Sequence, residues 1–229
     1  MRFQDAAPDA RAIVYAGIQA DPLVAHVAEL LADATLDQRI LARAVMNGMS
    51  TDPLVWRAMF PRLFGSDTPD GAAGPARERS EAILADSLAV AERGELVRQQ
   101  VRGAIVEELT ERIVRRRAGA GSAEPGVRRE RRILFDGVRA EIHPYDVTVE
   151  TPGASEAIDC KWGARGINAD VLHQLDDARS HAAEEEERLI ATLVVFDAQR
   201  SCDARLAGQT APHEATRLIA LETLDDLAR

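Results

Sequence analysis

The feature that most constrains the fold is residues 141–162, which read EIHPYDVTVETPGASEAIDCKW. Two short stretches rich in β-branched and apolar residues flank a Pro-Gly turn, a pattern that predicts two neighbouring strands. Side chains alternate between faces along a strand, so Asp159 and Lys161 share one face and Cys160 takes the other. Pairing of the strands would bring Asp146 close to Asp159. Two carboxylates and one ammonium at a sheet edge form a site able to hold a divalent metal and activate a water.

The use of lysine in this chain draws attention to the same place. Of the 28 basic residues, Lys161 alone is a lysine and the other 27 are arginine. Where lysine is retained in such a chain, the position can require a compact ammonium on a flexible stem. The alternative is an ordinary exposed hairpin, in which Asp159 and Lys161 form a marginal surface ion pair.

Composition is that of a globular protein. The 229 residues are 46% hydrophobic and 29% charged, enough for one large domain or for a small and a medium one. No apolar run approaches the roughly 20 residues of a membrane span, and the N-terminus lacks a secretion signal. The two cysteines have neither a disulfide nor a zinc pattern. These features predict a cytoplasmic protein with no membrane association.

The net charge of −10 argues against broad, nonspecific coating of nucleic acid. A local basic track is nevertheless present. Its eight arginines are Arg112, Arg115, Arg116, Arg117, Arg128, Arg129, Arg131 and Arg132. Such a track is either a solvated helix end and loop or a surface for a nucleic-acid backbone.

The N-terminal part of the chain has helical patterning. Residues 11–64 predict several helices, with Asp21 and Asp52 as N-caps before proline. Residues 65–76 are rich in Gly, Pro, Ser and Asp, which indicates a linker. The sequence therefore predicts a helical region at residues 1–76 and a second domain at residues 77–229.

The second domain alternates helix and strand. Helical spacing covers residues 77–118, with Gly94 and Gly103 as expected break points, and a Gly-rich loop follows at residues 119–126. Another helix, capped by Asn168, is predicted at residues 168–187. The predicted strands are residues 133–143, 146–151, 156–162 and 189–196, with residues 217–223 as a further strand or part of the last helix. This order predicts an α/β fold with a mixed central sheet flanked by helices.

A helix, three meandering strands, a crossover helix and a fourth strand resemble the PD-(D/E)xK nuclease superfamily, which has a restriction endonuclease-like αβββαβ core. The resemblance covers about residues 95–200 and is carried by Tyr145-Asp146 on the second strand and Asp159-Cys160-Lys161 on the third. Upstream, Gly103-x-x-x-Glu107 is similar to the Gly-x-x-x-Glu of resolvase-like members, whose Glu joins the metal site.

Two positions depart from the family pattern. Tyr145 precedes Asp146 where the family motif has proline, with Pro144 one residue earlier. Gln174 stands where several exonuclease-like members have a functional glutamine, but Ala178 replaces the aromatic residue that follows it in those members.

The resemblance implies a metal-dependent nuclease that hydrolyses DNA, most simply an endonuclease of restriction, phage defence or repair. Mg²⁺ is the expected cofactor, with Mn²⁺ as a substitute, and many such enzymes act on DNA as homodimers. The expected metal ligands are Asp146, Asp159, Glu107 and the carbonyl of Cys160, and Lys161 would orient or deprotonate the attacking water or stabilise developing charge. The expected nucleic-acid contacts are Arg115, Arg116, Arg117, Arg128, Arg129 and Gln174.

Other interpretations remain open from the sequence. Glu141 or Glu156, both near the hairpin, could replace Glu107 as the third carboxylate. A different class of function is a catalytically silent protein with a nuclease fold that binds a protein partner or serves as a scaffold, which the acidic net charge favours.

Overall fold

The computed structural model describes residues 1–7, 10–65, 74–119, 126–135, 137–139, 143–151 and 153–229, without the side chains of residues 10, 11, 138 and 139. Its contacts divide the chain into two compact units. One is Ile13–Leu109, and the other combines Met1–Ala12 with Thr110–Arg229. The predicted linker at residues 65–76 falls mostly outside the described residues.

The unit Ile13–Leu109 is helical in its described parts, as the sequence predicts. Asp21 and Asp52 cap their helices through bonds from Leu23 N and Leu54 N. The helices that lie in this unit or cross its ends are α1 (Ala10–Gln19), α2 (Pro22–Ala32), α3 (Leu36–Asn47), α4 (Pro53–Met59), α5 (Pro61–Phe64), α6 (Pro75–Ala91) and α7 (Glu95–Gly119).

Helix α7 is longer and less interrupted than its glycines predict. Gly94 separates α6 from α7 as expected, but Gly103 lies inside α7 and does not end it. A Cβ on Gly103 would lie 3.1 Å from the Tyr15 hydroxyl, so this glycine makes room for a tyrosine rather than for a bend.

The other unit is built on a mixed sheet. Its strands are β1 (Arg2–Asp5), β2 (Gly126–Phe135), β3 (Val138–Arg139), β4 (Tyr145–Glu150), β5 (Ser155–Lys161), β6 (Leu189–Val195) and β7 (Arg217–Ile219). The strand order is β1-β2-β4-β5-β6-β7, with β3 paired to β2. The strands from β1 to β5 pair antiparallel, whereas β6 runs parallel to β5 and β7 parallel to β6. The chain therefore has an α/β fold with a mixed sheet.

Two helices accompany this sheet, α8 (Ala169–Glu184) and α9 (Gln199–Leu206), with 3₁₀ turns at Ala164–Gly166 and Leu221–Ala228. Asn168 caps α8 through Val171 N, as predicted. The main apolar cluster joins Leu172 and Leu175 of α8 to Ile133, Tyr145 and Leu193 of the strands. This packing fixes α8 on the sheet beside the predicted hairpin.

The strand predictions near the hairpin are confirmed, but the one before it is wrong. Residues 133–143 do not form one strand, because β2 begins at Gly126 and ends at Phe135. The arginines of β2 conceal it from pattern analysis, since a central strand is expected to be apolar. They are accommodated by acids: Arg131 pairs with Glu150 at 3.0 Å, and Arg129 pairs with Glu111.

Within the described part of the chain, no helix is long and apolar enough to cross a membrane.

Candidate metal centre

Three carboxylates follow one another across three neighbouring strands. Arg129 and Arg131 of β2 pair with Val147 and Tyr145 of β4, so Glu130 stands opposite Asp146. The ladder between β4 and β5 ends at Val147 and Ile158, so Asp146 and Asp159 each lie one residue beyond its last pair. Carboxylate oxygens of Glu130 and Asp146 lie within 4.8 Å of each other. Asp146 and Asp159 therefore stand at the same end of the hairpin, with Glu130 beside Asp146.

Asp146 is fixed by the neighbouring strand. Its Oδ2 atom accepts a hydrogen bond of 2.6 Å from the backbone N–H of Cys160. A side-chain carboxylate thus takes the place of a backbone acceptor where the β4–β5 ladder ends. This bond orients the Asp146 carboxylate at the edge of the hairpin.

Asp159 and Lys161 form a close ion pair on β5. The Lys161 Nζ atom lies 2.7 Å from Asp159 Oδ2, and the two side chains are 25% and 9% exposed. The alternative of a marginal surface pair is therefore a poor description. Burial by itself lowers the pKa of Lys161, but the carboxylates of Asp159 and Asp146 outweigh it and hold that pKa above its ordinary value. Lys161 is charged at neutral pH in this arrangement.

Glu130 is the site residue that sequence reasoning missed. It has a φ of 50°, in the left-handed region that non-glycine residues seldom adopt. Its carbonyl accepts a hydrogen bond of 3.0 Å from Ala6 N, so the unusual backbone is held in place. Glu130 falls within the Arg-rich stretch GVRRERR, where no strand was predicted, and nothing in the sequence pattern distinguishes it from a solvated acid.

Glu107 lies on α7 in the helical unit. It is 6% exposed, and its two oxygens accept hydrogen bonds from Tyr15 (2.5 Å) and Gln19 (2.8 Å). The Gly-x-x-x-Glu pattern has a local basis here, because Gly103 leaves room for the Tyr15 hydroxyl that binds Glu107. One turn further along α7, Thr110 meets Cys160 Sγ at 3.5 Å. Cys160 therefore faces α7, on the side of β5 away from Asp159.

Of the two proposed substitutes for Glu107, the structure describes Glu156 and not Glu141. Glu156 is 5% exposed and accepts bonds from Thr192 (2.7 Å) and Arg117 (2.6 Å), so it forms a structural link between α7, β5 and β6. Glu141 lies outside the described residues.

The side chain of Gln174, on α8, forms hydrogen bonds with the backbone of His143. Its Oε1 accepts from His143 N and its Nε2 donates to His143 O, both at 3.1 Å. The Tyr145 hydroxyl donates to the Gln174 carbonyl at 3.2 Å. With 7% exposure, Gln174 clamps the segment that leads into β4 and Asp146. Gln174 is thus buried against the backbone of the segment that precedes Asp146.

The predicted nucleic-acid arginines fall into two groups. Arg117 is bound to buried Glu156, and Arg129 to Glu111, so both take part in internal ion pairs. Arg115, Arg116 and Arg128 are exposed, although Arg115 also reaches Glu111 at 2.6 Å. The side chains of the exposed group are therefore open to solvent.

The donor set of this centre matches a hard divalent cation. Carboxylate oxygens are the ligands that Mg²⁺ and Mn²⁺ prefer in proteins. Glu130 and Asp146 supply such oxygens within 4.8 Å of each other, and Asp159 supplies more at the end of the neighbouring strand, with Lys161 as a compensating cation beside it.

Comparison with known proteins assigns no family to this chain. No family model matches the chain, and no match is found among curated proteins. Among solved structures, it is similar to protein VC1899 from Vibrio cholerae, with 18% sequence identity and a TM-score of 0.47. The alignment covers 99% of this chain and 56% of that one, so the chain spans little more than half the length of VC1899.

Proposed function

We propose that the protein is a divalent-metal-dependent nuclease of the PD-(D/E)xK type, which hydrolyses DNA phosphodiester bonds as an endonuclease. The observation that supports this most is the row of Glu130, Asp146 and Asp159 across adjacent strands, with the ammonium of Lys161 beside it. The helix before the sheet and the crossover helix after β5 occur in the order that the resemblance implies.

Asp146 and Asp159 are the proposed ligands for Mg²⁺ or Mn²⁺, joined by Glu130. Glu107 of the Gly-x-x-x-Glu pattern is the proposed fourth carboxylate on the resemblance alone, and the Cys160 carbonyl is a further proposed oxygen donor. A bound ion would lower the pKa of a coordinated water and neutralise charge on the scissile phosphate.

Lys161 is proposed to stabilise negative charge, because its Nζ atom lies beside the carboxylates of the centre, 2.7 Å from Asp159 Oδ2. A fixed cation beside the reacting phosphate would stabilise charge that develops in the transition state. The exposed side chains of Arg115, Arg116 and Arg128 would hold the DNA backbone.

Cleavage of plasmid DNA tests the proposal. With Mg²⁺ or Mn²⁺, the wild-type protein is expected to nick or linearise closed circular DNA, which distinguishes an endonuclease from an exonuclease. Asp146→Asn should lower the rate by more than about 100-fold, the upper range for lost partners in a metal site. Asp177→Asn, which changes an exposed carboxylate on α8, is the matched control and should retain full activity.

Two results would contradict the proposal. Full activity of Asp146→Asn would show that cleavage does not depend on this centre. A wild-type protein that binds neither Mg²⁺ nor Mn²⁺ would favour the alternative of a silent binding or scaffold protein. A further variant, Lys161→Ala, would leave Asp159 buried without its cation and could destabilise the fold. Thermal unfolding of each variant must therefore accompany the cleavage assay.

A further inference from the structure

The stem of Lys161 lies against the 3₁₀ turn Ala164–Gly166. A Cβ atom placed on Gly166 would lie 2.9 Å from each of the Lys161 Cβ, Cγ and Cδ atoms. Non-bonded carbons pack at about 3.5–4.0 Å, so no side chain fits there while Lys161 keeps its position. Because Gly166 has no side chain, the space beside the turn is open, and the lysine stem occupies it.

The turn itself is anchored at both ends. Ala164 N donates to Asp197 Oδ2 at 3.0 Å, and Arg205 Nε donates to the carbonyl of Ile167 at 2.8 Å. Asp197 is 8% exposed, and its other oxygen accepts from Ala198 N at 2.8 Å. These bonds hold the backbone of the turn in place, so it cannot easily retreat from Lys161.

The main chain of Lys161 is also fixed. It belongs to β5, and its carbonyl accepts a hydrogen bond of 2.8 Å from Phe196 N. The Trp162 ring stacks on Phe196, with 5.1 Å between ring centroids. Rotation of the lysine stem relieves the contacts with Cγ and Cδ, whereas the contact with Cβ needs a shift of one of the two held backbones.

We propose that Gly166 is a positioning residue for Lys161, and that the anchored turn directs the lysine ammonium onto Asp159. Any side chain at position 166 would rotate the stem and withdraw the ammonium from the carboxylates. The catalytic consequence rests on the proposed function, but the placement of Lys161 does not, and the two can be tested separately.

Because Lys161 is the only lysine, its ammonium can be followed directly. Protein labelled with ¹³C-lysine gives a single ε-methylene signal in NMR spectra. In Gly166→Ala this signal should move towards the position of an exposed lysine, and acylation of Lys161, mapped by mass spectrometry, should accelerate several-fold. Gly153→Ala is the matched control, because a Cβ there meets nothing within 4 Å, and it should change neither quantity.

A double-mutant cycle separates positioning from general damage. Lys161→Gly removes the Cβ, Cγ and Cδ atoms that would clash, so Gly166→Ala should destabilise the protein less in that background than in the wild type. If Gly166→Ala does not fold, Asp197→Asn weakens the same turn and should shift the lysine signal in the same direction.

The inference would be overturned by an unmoved lysine signal in folded Gly166→Ala, or by equal destabilisation in both backgrounds. An unmoved signal in folded Asp197→Asn would overturn it if the glycine variant cannot be made. Absence of DNA cleavage by the wild-type protein, with a shifted lysine signal in Gly166→Ala, would reject the nuclease proposal and leave the positioning role intact.

Discussion

At the scale of single residues, the site combines one feature that sequence reveals and one that it conceals. The Asp159-x-Lys161 spacing indicates a shared face, and the 2.7 Å ion pair agrees with it. The Lys161 stem also depends on Gly166, because a side chain at position 166 would collide with it. No sequence pattern reveals this contact. Glu130 could not be found from sequence, because its backbone conformation depends on β1 and β4 on either side of β2.

The backbone of Glu130 predicts an inverted response to glycine. In a regular strand, glycine is less stable than alanine by about 0.5–1 kcal/mol. At Glu130, where φ is 50°, Glu130→Gly should be more stable than Glu130→Ala by about 1 kcal/mol, because only glycine adopts this conformation without cost. Urea unfolding of the two variants measures the difference.

Two controls frame that experiment. Glu186, after α8, has a φ of 57°, so glycine should also exceed alanine there. Ala157 lies in regular β5, and Ala157→Gly should be destabilising. If alanine proved the more stable residue at position 130, the left-handed conformation assigned to Glu130 would be incorrect.

At the scale of elements, the sequence predicts best where one local signal decides the structure. N-caps at Asp21, Asp52 and Asn168 set helix starts, and β4 and β5 form where the two strands of the hairpin are predicted. Prediction fails where partners distant in sequence decide. Strand β2 pairs with β1 and β4, and two of its arginines meet acids from other elements. Helix α8 ends at Glu184 through a left-handed glutamate, Glu186, rather than the usual glycine.

The clamp between α8 and the segment before β4 leads to a prediction for Gln174. Gln174→Ala removes both bonds to the backbone of His143, which should lower the free energy of unfolding by about 1–2 kcal/mol. It should also weaken Mn²⁺ binding, because Asp146 follows the clamped segment. Calorimetric titration and urea unfolding measure the two effects.

Gln99→Ala serves as the control for Gln174. Gln99 is exposed and bonds only locally, to Glu95 on its own helix, among its described hydrogen bonds. Its loss should change stability by less than about 0.5 kcal/mol and leave Mn²⁺ binding unaltered. Unchanged Mn²⁺ affinity in a destabilised Gln174→Ala would limit the clamp to a role in stability.

At the scale of the whole molecule, the acidic net charge of −10 is compatible with the proposed metal centre. Clustered carboxylates raise the local affinity for a divalent ion, and the exposed arginines of α7 and β2 are the proposed contacts for phosphates. The sequence predicts the mixed sheet and its strands β4, β5 and β6. It does not predict the boundary between the two compact units, which falls inside α7.

The central claim is that one divalent ion binds beside Lys161, and the single lysine allows a direct measurement. Paramagnetic Mn²⁺ should broaden the ε-methylene signal of ¹³C-lysine-labelled protein at about stoichiometric amounts. Excess Mg²⁺ should restore the signal, and Asp146→Asn should abolish the broadening. A lysine signal that stays sharp with Mn²⁺, or that broadens equally in Asp146→Asn, would contradict the metal centre on which the proposed nuclease activity depends.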